Sequence, residues 1–317
     1  MIKLTPFTFV LDWYLNCQFA GLIWARDRGL YADAGLDVTL VGPHDFPTTS
    51  TLDVVLNHEP AAGCMEDNLV VRAALAGQEV RAIGAMLQQT PMVLMTAPDS
   101  GIRTLHDLPG RRIAMHRDGI HLLRTVLTLH GINPQEVDAT VGGWTLHDLI
   151  DGHFDAVQGY TITEPAELVG LGLTPHLIPV RHLRLHPYAQ MMFATTRCIT
   201  TDHDVLRRFV DATFEGWRQA MTHRDEAAAL VAAVSVEQPN PTVNRQILDA
   251  MLPIVTGEVG LERLGYLDPE RWERNLATYH QFGMVERRAA FEQVVDARFV
   301  DPQLGSSRSV VTAETRL

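Results

Sequence analysis

Between residues 7 and 87 the chain alternates short apolar runs with amphipathic stretches, and this alternation limits its fold more than any other feature. Residues 7–11 read as a buried strand, 16–29 as a helix with Phe19, Leu22, Ile23 and Ala25 on one side, and 36–41 as a second strand. The pattern continues with a helix over 48–57, a small-residue strand at 60–64, a helix over 67–76 and a strand at 80–87. Strands joined through helices predict an α/β chain built on a largely parallel sheet, because parallel neighbours need a crossover long enough to return.

A second stretch of the same kind follows Pro98. Residues 108–115, LPGRRIAM, form a turn feeding a strand; a helix is expected over 121–130 with Gly131 closing it, then a strand at 137–141, a helix at 146–151 and a strand at 154–158. Beyond His182 the periodicity is helical, over 205–221, 224–233, 244–251 and 269–282, and no tandem repeat runs through the chain. Residues 302–317 lack apolar periodicity and are expected to be a disordered tail.

A length of 317 residues accommodates two lobes, and 46% hydrophobic with 20% charged residues is the balance of a folded protein. The formal charge of −12 would repel a polyanion, so a nucleic-acid partner is not expected. Cys17, Cys64 and Cys198 are widely spaced without a CxxC pair, which supports neither a disulfide framework nor a zinc site. No apolar run reaches the ~20 residues of a membrane span. The opening residues carry Lys3 alone as a cation, are interrupted by Pro6 and Asp12, and show no small-residue cleavage site. A cytoplasmic location is expected for the sequence as it stands, or a periplasmic or cell-surface one if an export signal was removed.

Leu11-Asp12-Trp13, Gly29-Leu30-Tyr31 and Gly35-Leu36-Asp37-Val38 together resemble the opening of the periplasmic-binding-protein superfamily that groups substrate-binding proteins with the fungal thiamine-pyrimidine synthase (the NMT1/SsuA type). LHDLPG at 105–110 and LIDGHFDAV at 149–157 resemble later motifs of the same group, so the likeness runs over roughly residues 7–220. It implies a two-lobed, type II periplasmic-binding-protein-like fold with a ligand cleft between the lobes and a helical C-terminal segment. Lobe 1 would combine residues 1–97 with 187–301, and lobe 2 would be 98–186.

Candidate ligand contacts fall where expected strands end, the usual place for ligands in open α/β sheets. Trp13 offers an indole face for a planar ring. Asn16 and Gln18 either point amides at a ligand or serve the following helix, Asn16 as its N-cap. Glu66 can accept hydrogen bonds from heterocycle amino groups, and the resemblance places an acidic ligand contact there; Asp67 is a ligand contact or a helix cap. His116, Arg117 and Gly119 occupy the place of a phosphate-holding Gly-x-x-Gly loop, with His116 in place of the first glycine. They would suit a carboxylate or phosphate, unless Arg117 simply pairs with Asp118. Tyr160, Glu164 and Tyr188 are further candidates from the far side of the cleft.

The synthase that gives the group its name uses a lysine-held pyridoxal phosphate, a donor histidine and a cysteine-rich stretch. The matching places here are Met65, Leu69 and the run Ala189–Phe193, and Lys3, the sole lysine, precedes the first strand. That chemistry is excluded, and no HExxH or comparable metal motif is present among the fourteen histidines. No cofactor and no metal are expected. The expected function is that of a small-molecule binding protein of the ABC-transporter solute-binding type, with a pyrimidine-like or other aromatic ligand and an ABC permease as partner. The alternative is a cytoplasmic biosynthetic enzyme on the same fold acting on a small aromatic or heterocyclic metabolite.

Overall fold

A computed structural model describes residues 3–236 and 239–301. The chain divides into two compact units, one formed by residues up to 88 with 189–269 and those from 291 onward, the other by Gln89–Tyr188 with Glu270–Ala290. Ten strands lie along it: β1 (Thr5–Val10), β2 (Leu36–Val41), β3 (Ala61–Met65), β4 (Val80–Leu87), β5 (Met92–Thr96), β6 (Arg112–Met115), β7 (Asp138–Val141), β8 (Ala156–Tyr160), β9 (His176–Pro179) and β10 (Ala189–Thr195).

The first unit holds a five-stranded sheet in the order β2-β1-β3-β10-β4. Strands β2 and β3 flank β1 in parallel, whereas β10 runs antiparallel to both β3 and β4. Helices Ala20–Asp27 and His203–Thr222 pack closely, since Gly216 faces the Gly21 carbonyl and Trp217 covers Gly21, positions where a Cβ would collide. Phe209 of the longer helix meets the rings of Phe7, Phe9 and Tyr31 at centroid distances of 4.5, 5.1 and 5.4 Å. Those contacts fix the helix against the sheet.

The second unit repeats the topology without repeating the sequence. Its order is β7-β6-β8-β5-β9, with β6 parallel to β7 and β8, and with β5 antiparallel to β8 and β9. Its core joins Val93, Met95, Ala114, Leu149, Val157 and Leu168.

Three expectations need correction. Both sheets are mixed rather than largely parallel, because β5 and β10, the strands by which the chain enters each unit from the other, run against their neighbours. All seven residues of β10 and all five of β5 are buried, so neither shows the alternation that marks a strand facing water. The lobe boundaries also differ: β5 belongs to the second sheet, and Glu270–Ala290 belongs to the second unit. There Asn275 accepts from the His186 amide at 3.1 Å and donates to its carbonyl at 2.8 Å, which ties helix Pro269–Gln281 to the segment before β10. The helix expected at 16–29 is broken into a 3-10 turn, Cys17–Phe19, and Ala20–Asp27, and Gly29 at φ 78° starts a new turn, Leu30–Asp33. The tail 302–317 lies outside the described residues.

Candidate functional site

In the first unit, β1 and β3 end at the edge where β10 begins and β4 ends. This edge gathers Asp12 and Trp13 after β1, Asn16 and Gln18 in the next turn, Glu66, Asp67 and Asn68 after β3, Gln88 after β4, and Gln190 at the start of β10. Asn16, Gln18, Glu66, Asp67, Asn68, Gln88 and Gln190 are buried, each no more than 4% exposed. So dense a polar set at a sheet edge costs desolvation, which a core residue avoids. None of these side chains is a lysine or arginine.

The local chemistry separates capping from other roles. Asn16 is the cap of the turn Cys17–Phe19: its Oδ1 accepts from the Gln18 amide at 2.8 Å, while its buried Nδ2 has no hydrogen-bond partner among the described residues. Asp67 is not the N-cap of helix Asp67–Leu75. Glu66 holds that place, and its carboxylate makes no capping hydrogen bond. Gln190 adopts φ 50°, the single described non-glycine residue with positive φ. Its Nε2 donates to Gln18 Oε1 at 3.2 Å, and its Oε1 has no partner among the described residues.

Trp13 is half-buried with its ring 5.5 Å from that of Tyr14, which in turn lies 4.3 Å from His44. An aromatic run therefore stands beside the buried polar edge. Cys64 points its thiol at Asp12 Oδ1 across 3.5 Å; burial, then the Asp12 charge, push that thiol well above the usual cysteine range. Burial likewise raises Cys17 and Cys198 to about 12, so all three buried thiols are poor nucleophiles at neutral pH. A separate groove of about 290 Å3 in this unit, lined by residues including Asp45, Phe46, Asp53 and His58, contains none of the expected contacts.

The corresponding edge of the second unit is built differently. His116, Arg117, Asp118 and Gly119 follow β6 and lead into helix Ile120–Leu129. Gln158 of β8 holds this loop: its Oε1 accepts from the His116 amide at 3.0 Å and its Nε2 reaches Asp118 Oδ1 at 3.4 Å. The Asp118 carboxylate also accepts from the Gly119 amide at 2.9 Å, and Arg117 is exposed. A Cβ at Gly119 would strike the Gln158 amide, which explains the glycine without any appeal to left-handed backbone. The His116 ring lies 4.6 Å from Trp144. Glu164 accepts from the Tyr160 amide at 2.8 Å and from the Thr163 hydroxyl, so it ties down the turn after β8.

Tyr188 immediately precedes β10. Its buried ring lies 5.8 Å from that of Trp272, and the Arg271 guanidinium sits over it at 3.6 Å. Gln88, Gln158 and Gln190 escape the sequence reading. For the last two a signal exists: each is an amide inside an otherwise apolar run, AVQGY and AQMMF. Among the described residues no group of three or more His, Cys, Asp or Glu is arranged to hold a metal, and no helix is long and apolar enough to cross a membrane.

The architecture recurs in solved structures. The periplasmic aliphatic sulphonate binding protein SsuA of Escherichia coli superposes with a TM-score of 0.70 at 15% identity, covering 93% of this chain and 92% of that one. A ligand-binding component of an ABC-type import system from Staphylococcus aureus gives 0.68 at 13% identity, over 97% and 100% of the two chains. The fold is therefore the periplasmic-binding-protein fold used by solute-binding components of ABC importers. By sequence, the family described as "NMT1/THI5 like" matches residues 16–227, and the chain belongs to that family. A Haemophilus influenzae protein named for thiamine biosynthesis is 20% identical over 90% of each chain. A Legionella pneumophila 4-amino-5-hydroxymethyl-2-methylpyrimidine phosphate synthase is 26% identical over 45% of each.

Proposed function

We propose that this chain is a solute-binding protein for a neutral or cationic aminated heterocycle of the pyrimidine type, delivered to an ABC permease. One observation carries the reading: the first unit's sheet edge gathers buried carboxylates and amides, Glu66 and Asp67 among them, beside the aromatic run from Trp13 to His44. Carboxylates such as Glu66 accept hydrogen bonds from amino groups and repel anions, while an indole face stacks on a flat ring. A sulfonate would meet the wrong charge there. Fold alone says nothing of ligand identity, so the reading is supported by the carboxylates at the edge rather than by the likeness to sulfonate binders.

A biosynthetic enzyme is the second reading, favoured by the names of the two curated relatives. Against it, Lys3 is exposed ahead of β1, which leaves no amine for a Schiff base at either edge, and the buried thiols are held protonated.

Thermal-shift titration with 4-amino-5-hydroxymethyl-2-methylpyrimidine, aromatic carboxylates and alkanesulfonates tests the proposal. A ligand at 100 times its Kd stabilises by about 2.7 kcal/mol. The aminopyrimidine should shift the melting point, with the shift reduced in Trp13→Ala; a shift by sulfonates alone would falsify the ligand class. Delivery to a permease also requires export, which cell fractionation checks directly.

A further inference from the structure

Three amides at the first unit's edge form a chain with unmatched ends. Asn16 Oδ1 accepts from the Gln18 backbone, and Gln18 Oε1 accepts from Gln190 Nε2. At one end the Asn16 Nδ2 donor, and at the other the Gln190 Oε1 acceptor, lack partners among the described residues, although the two residues are only 1% and 2% exposed. A buried donor and a buried acceptor left unmatched in one short chain are costly, and such pairs are retained where something else completes them. Gln190 bears a second cost, a left-handed backbone at φ 50° in a side chain that gains nothing from it locally. Its neighbour Met191 pairs with Met65, so Gln190 enters the sheet beside the point where Glu66 leaves it.

We infer that Gln190 is a specificity-determining residue of the ligand site, its amide oxygen accepting from an exocyclic amine while Asn16 Nδ2 donates to a ring nitrogen. This rests on the heterocycle reading above and sharpens it: the ligand must offer an amine donor and an unprotonated ring nitrogen together, the pattern of an aminopyrimidine. An amine alone satisfies only one end of the chain. The strained backbone holds the amide in place before the ligand arrives, so its orientation need not be fixed at the moment of binding.

The test is calorimetric titration of the full chain with 4-amino-5-hydroxymethyl-2-methylpyrimidine and with its analogue bearing a methyl in place of the amine. Each is measured on wild type, Gln190→Met and Gln190→Gly. The expected result is about tenfold weaker binding of the amine by Gln190→Met, as for one lost hydrogen bond. The analogue's penalty, present in wild type, should vanish in that variant, which is the coupling a double-mutant cycle detects. Gln190→Gly, which relieves the φ 50° backbone but leaves Gln18 Oε1 without its donor, should bind the amine as weakly as Gln190→Met and show the same loss of the analogue's penalty. Unchanged affinity in Gln190→Met, or an analogue penalty that persists there, overturns the role of Gln190 and leaves the ligand class standing. A wild-type chain that binds the sulfonate MOPS but neither pyrimidine overturns the ligand class, and this inference with it.

Discussion

The two units share a strand order and differ in what they place at the same edge of it. In the first, the edge carries buried carboxylates and amides, with an orphan donor on Asn16 and an orphan acceptor on Gln190. In the second, Gln158, Asp118 and Glu164 spend their hydrogen bonds inside the protein, fastening the loops that follow β6 and β8. A repeated topology thus supplies two equivalent positions for chemistry, and the side chains make one a buried polar edge with two unmatched amide atoms among the described residues and the other a set of braced loops. Backbone arrangement decides where a site can be; polar satisfaction decides which positions await a partner.

The largest effect that would test this contrast concerns the frame rather than the edge. Phe209→Ala removes the ring that meets Phe7, Phe9 and Tyr31, and should lower stability by about 3–5 kcal/mol in urea unfolding. If the first unit's polar edge depended little on that core, the loss would be far smaller. Next, Glu66→Gln removes a buried charged acceptor and should weaken aminopyrimidine binding by roughly 1.5–3 kcal/mol in titration. Unaltered affinity would mean that the carboxylate serves the fold alone.

On the second unit, Gly119→Ala drives a methyl into the Gln158 amide and should destabilise by about 1–3 kcal/mol. Pairing it with Gln158→Ala, which vacates that space, should recover part of the loss. Simple additivity of the two would show that the loop is not braced as described.

The smallest effect is a pH dependence in the second unit. Burial, then the charges of His130, Arg184 and His186, hold the His182 imidazole below the ordinary histidine range. Its Nδ1 accepts from the Arg184 amide at 3.1 Å, and its ring lies 4.9 Å from His130, itself 5.9 Å from His106. Because the folded form holds this proton less well than the unfolded one, stability is complete above about pH 6.5 and declines as pH falls below it toward the depressed value. Chemical unfolding at a series of pH values should show a flatter acid limb for His182→Asn.

Much of the first unit was legible before any coordinates. The apolar periodicities mark β1, β2, β3 and β4 and the helices between them to within a few residues, because each is a local pattern facing one sheet. The motif resemblance correctly anticipated the fold class. Glu66 and Asp67 are candidates because they directly follow β3, and Asn16 and Gln18 because they belong to the turn after β1; the structure gathers all four at one edge. Gln190 shows in the sequence only as one amide in the apolar run AQMMF, and its strand, buried throughout, carries no alternation to say which way that amide faces. The contacts of Tyr188 with Trp272 and Arg271, more than eighty residues later, are likewise invisible in any local window.

What the sequence by itself determined was the succession of strands and helices, the acid-rich charge, and the absence of a lysine able to hold a pyridoxal group. These follow from local periodicity and residue inventory, which need no knowledge of distant neighbours. Only the tertiary structure decided that β10 runs antiparallel within the first unit's sheet and β5 within the second's, and that Glu270–Ala290 returns to the second unit. It alone showed that Asn16 and Gln190 each keep one polar atom unmatched among the described residues. Strand insertion and hydrogen-bond satisfaction are set by residues far apart in the chain, so no window of sequence contains the information that fixes them.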